Sequence, residues 1–129
     1  MKVRWSKNSI RFRISPTEFE ALRRGEAVEE ILLLPAGGWR ASIVPGAEGP
    51  TSFAARGADL ALMLCAADLA HLAEPESEGV YFRGELPSDF RYFVEKDFPC
   101  AHPTAAKARE PVTETFSPPP DFNARKTQN

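Results

Sequence analysis

This chain carries two cysteines, two histidines and a net charge of only −2, with no long apolar run anywhere in its 129 residues. Each shortage excludes a class of protein. The opening Met1-Lys2-Val3-Arg4-Trp5-Ser6-Lys7 is charged but leads into no apolar stretch, so no secretory signal is expected. The longest apolar-rich stretch, Ala58 to Ala73, contains Asp59, Asp68 and His71, and it is shorter than the ~20 apolar residues a bilayer span needs. The expectation is therefore a cytoplasmic protein with no membrane partner. In that reducing compartment Cys65 and Cys100 are expected as thiols. With 16 basic against 18 acidic residues there is no positive surplus for neutralising phosphates, so no nucleic-acid partner is expected. The phosphate loop, the dinucleotide fingerprint, HExxH, GxSxG and CxxC are all missing, which leaves no enzyme signature and no implied cofactor. The reading favours a non-enzymatic role.

What is present suffices for one core. Apolar residues make up 43% and charged residues 26%, ordinary globular usage, and the length suits a single domain. Lys2 to Ser6 alternates with Val3 and Trp5 on one face, Lys7-Asn8 reads as a hairpin turn because Asn tolerates positive φ, and Ile10, Phe12 and Ile14 alternate with Arg11 and Arg13 in a half-buried strand. Ser15-Pro16-Thr17-Glu18 is a helix start: Ser15 caps, Pro16 suits the first position and Glu18 completes a capping box. The helix is expected over Pro16 to Arg24, stopped by Gly25. Strands follow over Val28–Leu34, Trp39–Val44, Thr51–Ala55 and Asp59–Cys65, then a helix over Ala66–Ala73, then strands over Val80–Gly84 and Phe90–Lys96. Gly46-Ala47-Glu48-Gly49, between Pro45 and Pro50, reads as a turn.

Two domain-level readings result. Residues 1–102 form one domain, and residues 103–129, rich in Pro and poor in large apolar side chains, form an extended or disordered tail in which Phe116 and Phe122 are able to dock. Within the domain, Ile10, Phe12 and Ile14 match Leu60, Leu62 and Leu64 at an offset of 50, as Ser15, Glu18, Phe19 and Leu22 match Cys65, Asp68, Leu69 and Leu72. The match reads either as an internal duplication or as the spacing that any strand–helix junction produces. Short turns imply antiparallel pairing. The expected fold is α+β: a mostly antiparallel, strongly curved or barrel-like sheet of about eight strands with two short helices.

Two stretches carry a resemblance. Asn8-Ser9-Ile10-Arg11-Phe12-Arg13-Ile14-Ser15 through Val28-Glu29-Glu30, and Val94-Glu95-Lys96-Asp97-Phe98-Pro99-Cys100, resemble the opening, with its "NSIRxR" start, and the "EKDFxC" end of a family of small uncharacterised bacterial proteins, over roughly residues 1 to 102. The resemblance implies a single intracellular bacterial domain and nothing catalytic. The repeated strand–helix–strands unit also resembles the triphosphate-tunnel fold at the level of architecture alone, and the alternating glutamates ending in lysine that open that family are absent here.

The residues that carry charge offer one candidate site. Lys2, Arg4, Arg11 and Arg13 share a face if the first hairpin is right. With Glu29, Glu95 and Asp97 they are the expected ligand-binding set, cations for phosphate and carboxylates for Mg²⁺. The alternative is a solvated face with cross-strand ion pairs, each worth under about 1 kcal/mol. Cys65, His71, Cys100 and His102 are the only Cys and His residues; Cys100 and His102 sit two apart, as two zinc ligands can, but Cys65 and His71 are six apart and make no close pair, so no metal is expected. Aromatic residues on the strands (Trp5, Phe12, Trp39, Phe53, Phe82, Phe90, Tyr92, Phe93, Phe98) build a core, and any exposed subset marks a protein interface. Two functions of different class remain: a protein-interaction or self-association domain with a protein partner or a second copy, and a binder or metal-dependent hydrolase of a nucleotide or polyphosphate.

Overall fold

The computed structural model of the chain describes residues 1–84, 89–99 and 115–121. The elements are β1 (Lys2–Ser6), β2 (Ser9–Ile14), α1 (Pro16–Arg23), β3 (Val28–Leu34), β4 (Gly37–Ala47), β5 (Ser52–Arg56), β6 (Asp59–Cys65), α2 (Ala66–Ala73), β7 (Gly79–Arg83) and β8 (Arg91–Lys96). Local chemistry places them. The capping box of α1 is made as expected: the Glu18 amide donates to Ser15 Oγ at 3.2 Å, and the Ser15 amide donates to Glu18 Oε1 at 2.9 Å. Gly25 ends the helix at φ +85°, a conformation that costs side-chain-bearing residues energy. The Lys7-Asn8 turn forms without positive φ at Asn8, because among the described residues only glycines adopt it.

The α+β class holds, and the sheet expectation needs correction. There is no single curved or barrel-like sheet. Two open four-stranded sheets form, ordered β1-β2-β8-β7 and β3-β4-β6-β5. Each is mixed: antiparallel outer pairs flank a central parallel pair, β2 with β8 and β4 with β6. Hairpin logic finds the antiparallel pairs from their short turns. The parallel pairs join strands of different hairpins, which no turn signal announces. Neither sheet closes, so no tunnel forms.

The match is realised as corresponding geometry, at an offset of 50 from β1, β2 and α1 to β5, β6 and α2, and of 52 and 51 from β3 and β4 to β7 and β8. Lys2 lies opposite Arg13 in the first hairpin, as Ser52 lies opposite Met63 in the third. Val28 lies opposite Ile43, as Val80 lies opposite Val94. Phe12 pairs with Val94 across one parallel seam, as Leu62 pairs with Ile43 across the other. The unit β1-β2-α1-β3-β4 thus corresponds to β5-β6-α2-β7-β8. Each unit gives its first hairpin to one sheet and its second to the other. Position 51 matches position 1: Thr51 Oγ bonds Asp68, and the Met1 amino group contacts Glu18.

One core results. Phe12, Ile14, Ile43, Leu62, Leu64 and Val94 come from both sheets, Leu22 and Leu72 come from the two helices, and all are fully buried. Such side chains contribute about 1.5–3 kcal/mol each through removal from water. Beyond the last strand, Phe116 docks as the sequence allowed. Its amide donates to the Asp97 carbonyl at 2.9 Å, and its ring meets Phe19 and Phe98 at 6.2 and 6.1 Å. Lys96, buried beneath it, donates from Nζ to the Glu74 carbonyl at the end of α2 at 2.8 Å, and burial pushes its ammonium pKa down. The Pro87-Ser88 turn, Phe122 and the tail other than residues 115–121 lie outside the described residues.

Because Phe12 and Leu62 hold equivalent places in one core, truncating either should damage the whole molecule. Phe12→Ala should cost about 3–5 kcal/mol and Leu62→Ala about 2–5 kcal/mol in urea unfolding. Each should give a single transition with the slope of the parent.

Candidate functional site

Three surfaces are available to carry function. The first is the outer face of the β1-β2-β8-β7 sheet. In β2, Ile10, Phe12 and Ile14 turn into the core, so Arg11 and Arg13 turn out. Cross-strand register then places Arg4 opposite Arg11 and Lys2 opposite Arg13. On the other side of β2 the same face continues through Arg91, Phe93 and Glu95 of β8 and through Tyr81 and Arg83 of β7. Six cations and one strand carboxylate share this face.

The expected ligand-binding set is partly assembled there. Glu95 holds two of its cations, with Arg11 Nε at 3.1 Å and Arg13 Nε at 3.6 Å. The Arg11 Nε–H is not aimed at the carboxylate, and that buried nitrogen has no hydrogen-bond partner among the described residues. The Arg11 guanidinium lies 5.3 Å over the Phe93 ring, which in turn packs at 5.4 Å against Tyr81. Burial, followed by the charge of Glu95, pushes the Tyr81 phenol up. Asp97, itself buried just past β8, binds Lys2 Nζ at 2.9 Å. Among the described residues Arg4, Arg83 and Arg91 make no ion pair. Glu29 is not part of this group. It lies on the other sheet, 3.6 Å from Arg40 Nε.

The metal-ligating residue types stay apart. Among the described residues no three Cys, His, Asp or Glu side chains gather as a metal site. Cys65 is half-buried and donates to Asp68 Oδ2 at 3.0 Å, while exposed His71 faces Glu74 at 3.5 Å. Cys100 and His102 lie outside the described residues.

The second surface is the β3–β4 hairpin. Ile31, Leu32, Leu33, Leu34 and Trp39 are all exposed, Leu33 to 83%. Sequence pattern reads Val28–Leu34 as a strand but cannot say that four consecutive apolar residues stay in water. The signal that was available is the break in alternation, since a run of Ile-Leu-Leu-Leu cannot place every side chain on one buried face.

The third surface adjoins the second. Trp5 of β1, exposed to 61%, stacks on Trp39 of β4 with centroids 6.3 Å apart and planes at 28°. Beneath them opens a cavity of about 450 Å³, walled by Val3, Leu32, Ala41 and Leu60, with the half-exposed side chains of Lys2, Glu30 and Arg40 at its edge.

The chain belongs to DUF7009, a family of unknown function. The family model matches residues 1–118, a span that takes in both units, all three surfaces and Phe116. No curated protein and no solved structure matches the chain. Membership of DUF7009 names no activity, so the three surfaces themselves carry the functional reading. Among the described residues no helix is long and apolar enough to cross a membrane.

Proposed function

We propose that this protein is a non-enzymatic self-association domain of the bacterial cytoplasm, pairing with a second copy through β3. One observation carries the reading. The edge strands of the two sheets are β1, β7, β3 and β5. An unpaired edge invites another strand unless charge guards it. β1 carries Lys2 and Arg4, β5 ends in Arg56, β7 ends in Arg83 and β3 carries Glu29 and Glu30 near its start; what sets β3 apart among the described residues is that its second half, Ile31 to Leu34, is four consecutive large apolar residues, all exposed. Two copies meeting edge to edge about a two-fold axis would pair these backbones and cover Leu33 with Leu33 of the partner subunit. Residues 103–129 remain a tail in this reading, anchored at Phe116. Origin by internal duplication is supported by the shared registers, and bacterial cytoplasm by the resemblance of the Asn8–Arg13 and Glu95–Cys100 motifs. In sedimentation velocity at micromolar concentration the parent chain should run as a dimer. Leu33→Arg should run as a monomer with unchanged far-UV circular dichroism. A monomeric parent chain refutes the proposal.

A second reading rests on the basic face. Six cations facing solvent with a single strand carboxylate form a local positive field that the near-zero net charge conceals. Its ligand would be a nucleotide or polyphosphate, held by Arg4, Arg83 and Arg91 and by the Glu95-bound Arg11 and Arg13, with Mg²⁺ at Glu95 or Asp97. A triphosphate at about 100 times its dissociation constant adds about 2.7 kcal/mol, a rise of several degrees in Tm for a domain of this size. Arg4→Glu should remove that rise. An unchanged Tm with triphosphate and Mg²⁺ together ends this reading.

A further inference from the structure

The outer face of the β1-β2-β8-β7 sheet is a grid whose rows cross the four strands. Register gives three rows. Lys2, Arg13, Glu95 and Gly79 make the first, Arg4, Arg11, Phe93 and Tyr81 the second, and Ser6, Ser9, Arg91 and Arg83 the third. Strand spacing and rise give the grid a span of roughly 14 Å in each direction. Two rings lie in the middle row, with cations beside them and in the rows above and below. Tyr81 is 56% exposed, and its ring meets Phe93 at 5.4 Å. The Arg11 guanidinium lies 5.3 Å over Phe93. The chain's total charge hides this grouping, because the acidic surplus lies elsewhere than on these three rows.

Three features of the grid narrow the ligand. Its cations are spread rather than convergent, so a compact anion meets only a few of them while a chain of phosphates meets one after another. Five of the six are arginines, whose planar forks match phosphate oxygens and also stack on flat rings. Among the described residues Arg4, Arg83 and Arg91 make no ion pair, whereas Glu95 steadies Arg11 and Arg13. The rings are the third feature. Phosphate alone has no use for them, but an unpaired base stacks on an aromatic face or a guanidinium plane, and pairing in a duplex hides that base. We infer that this face binds single-stranded nucleic acid, with bases stacked on Tyr81 and on the Arg11–Phe93 pair and phosphates at Arg4, Arg83 and Arg91. The inference rests on the second reading above, which gives this face phosphate ligands, and it names the polymer that presents them.

Fluorescence anisotropy with a labelled oligothymidylate of about 12 nucleotides tests it. The parent chain should bind saturably, and log K should fall against log salt with a slope of about −2, as three phosphate contacts on a single strand require. Arg91→Gln should make that slope shallower by about 0.7. Tyr81→Leu should weaken binding roughly five- to 150-fold, and Tyr81→Trp, which keeps a stacking face, should retain it, both with the far-UV circular dichroism of the parent. An abasic strand of the same length and inorganic polyphosphate should each bind at least about fivefold more weakly than the oligothymidylate. If they bind as tightly, or if Tyr81→Leu binds like the parent, the face takes phosphate alone: the second reading stands and this inference falls. Equal binding of the thymidylate–adenylate duplex, or tighter binding of polyglutamate, also overturns it. Failure to bind any of these anions at low salt overturns both readings of this face.

Discussion

The parallel pairing of β2 with β8 and of β4 with β6 is the constraint on which the rest of this molecule depends. Each seam joins a strand of one unit to a strand of the other, Phe12 to Val94 and Leu62 to Ile43. A single unit ends as two hairpins in different sheets, and a lone two-stranded hairpin is marginal in water. Neither unit therefore has a core of its own. Only when the hairpins are exchanged do the inner faces of both sheets and the stripes of both short helices meet in one apolar interior.

That arrangement leaves two equivalent corners, and function is open to whichever is not filled. Around β5 and β8 the aromatic rings of Phe53, Phe82, Phe90 and Tyr92 complete the core. Around β1 and β4 the corresponding positions are smaller or charged, two tryptophans stay in water, and the apolar edge of β3 continues outward from them. The same backbone thus provides a structural end and an end with surface to spare. The basic face of the β1-β2-β8-β7 sheet meets the second corner at Lys2 and otherwise points elsewhere, because alternation along β2 sends Arg11 and Arg13 away from the core that Phe12 enters.

Much of this was legible in the residues. Alternation located nearly every strand, the Ser15–Glu18 box located α1, and the match of Ile10–Ile14 to Leu60–Leu64 anticipated the repeated geometry. The grouping of Lys2, Arg4, Arg11 and Arg13 followed from hairpin register and the period of a strand, whereas Glu95 and Asp97 join them only through the parallel seam of β2 with β8. Three things were not legible. The parallel seams depend on contacts between separate hairpins, which short-range turn chemistry does not encode. Glu29 falls on the other sheet for the same reason. The cavity is a property of paired positions: Val3, Glu30 and Ala41 signal nothing until Phe53, Phe82 and Tyr92, the residues at the corresponding registers of the other unit, are known.

Native-state hydrogen exchange tests the exchanged-hairpin core most directly. If the two seams are the common support of both sheets, the amides of Phe12, Ile43, Leu62 and Val94 should open only with global unfolding, at one shared free energy and with one denaturant dependence. Separate free energies for the amides of Phe12 and Ile43 on one side and Leu62 and Val94 on the other would mean that each unit folds by itself, and would contradict the account.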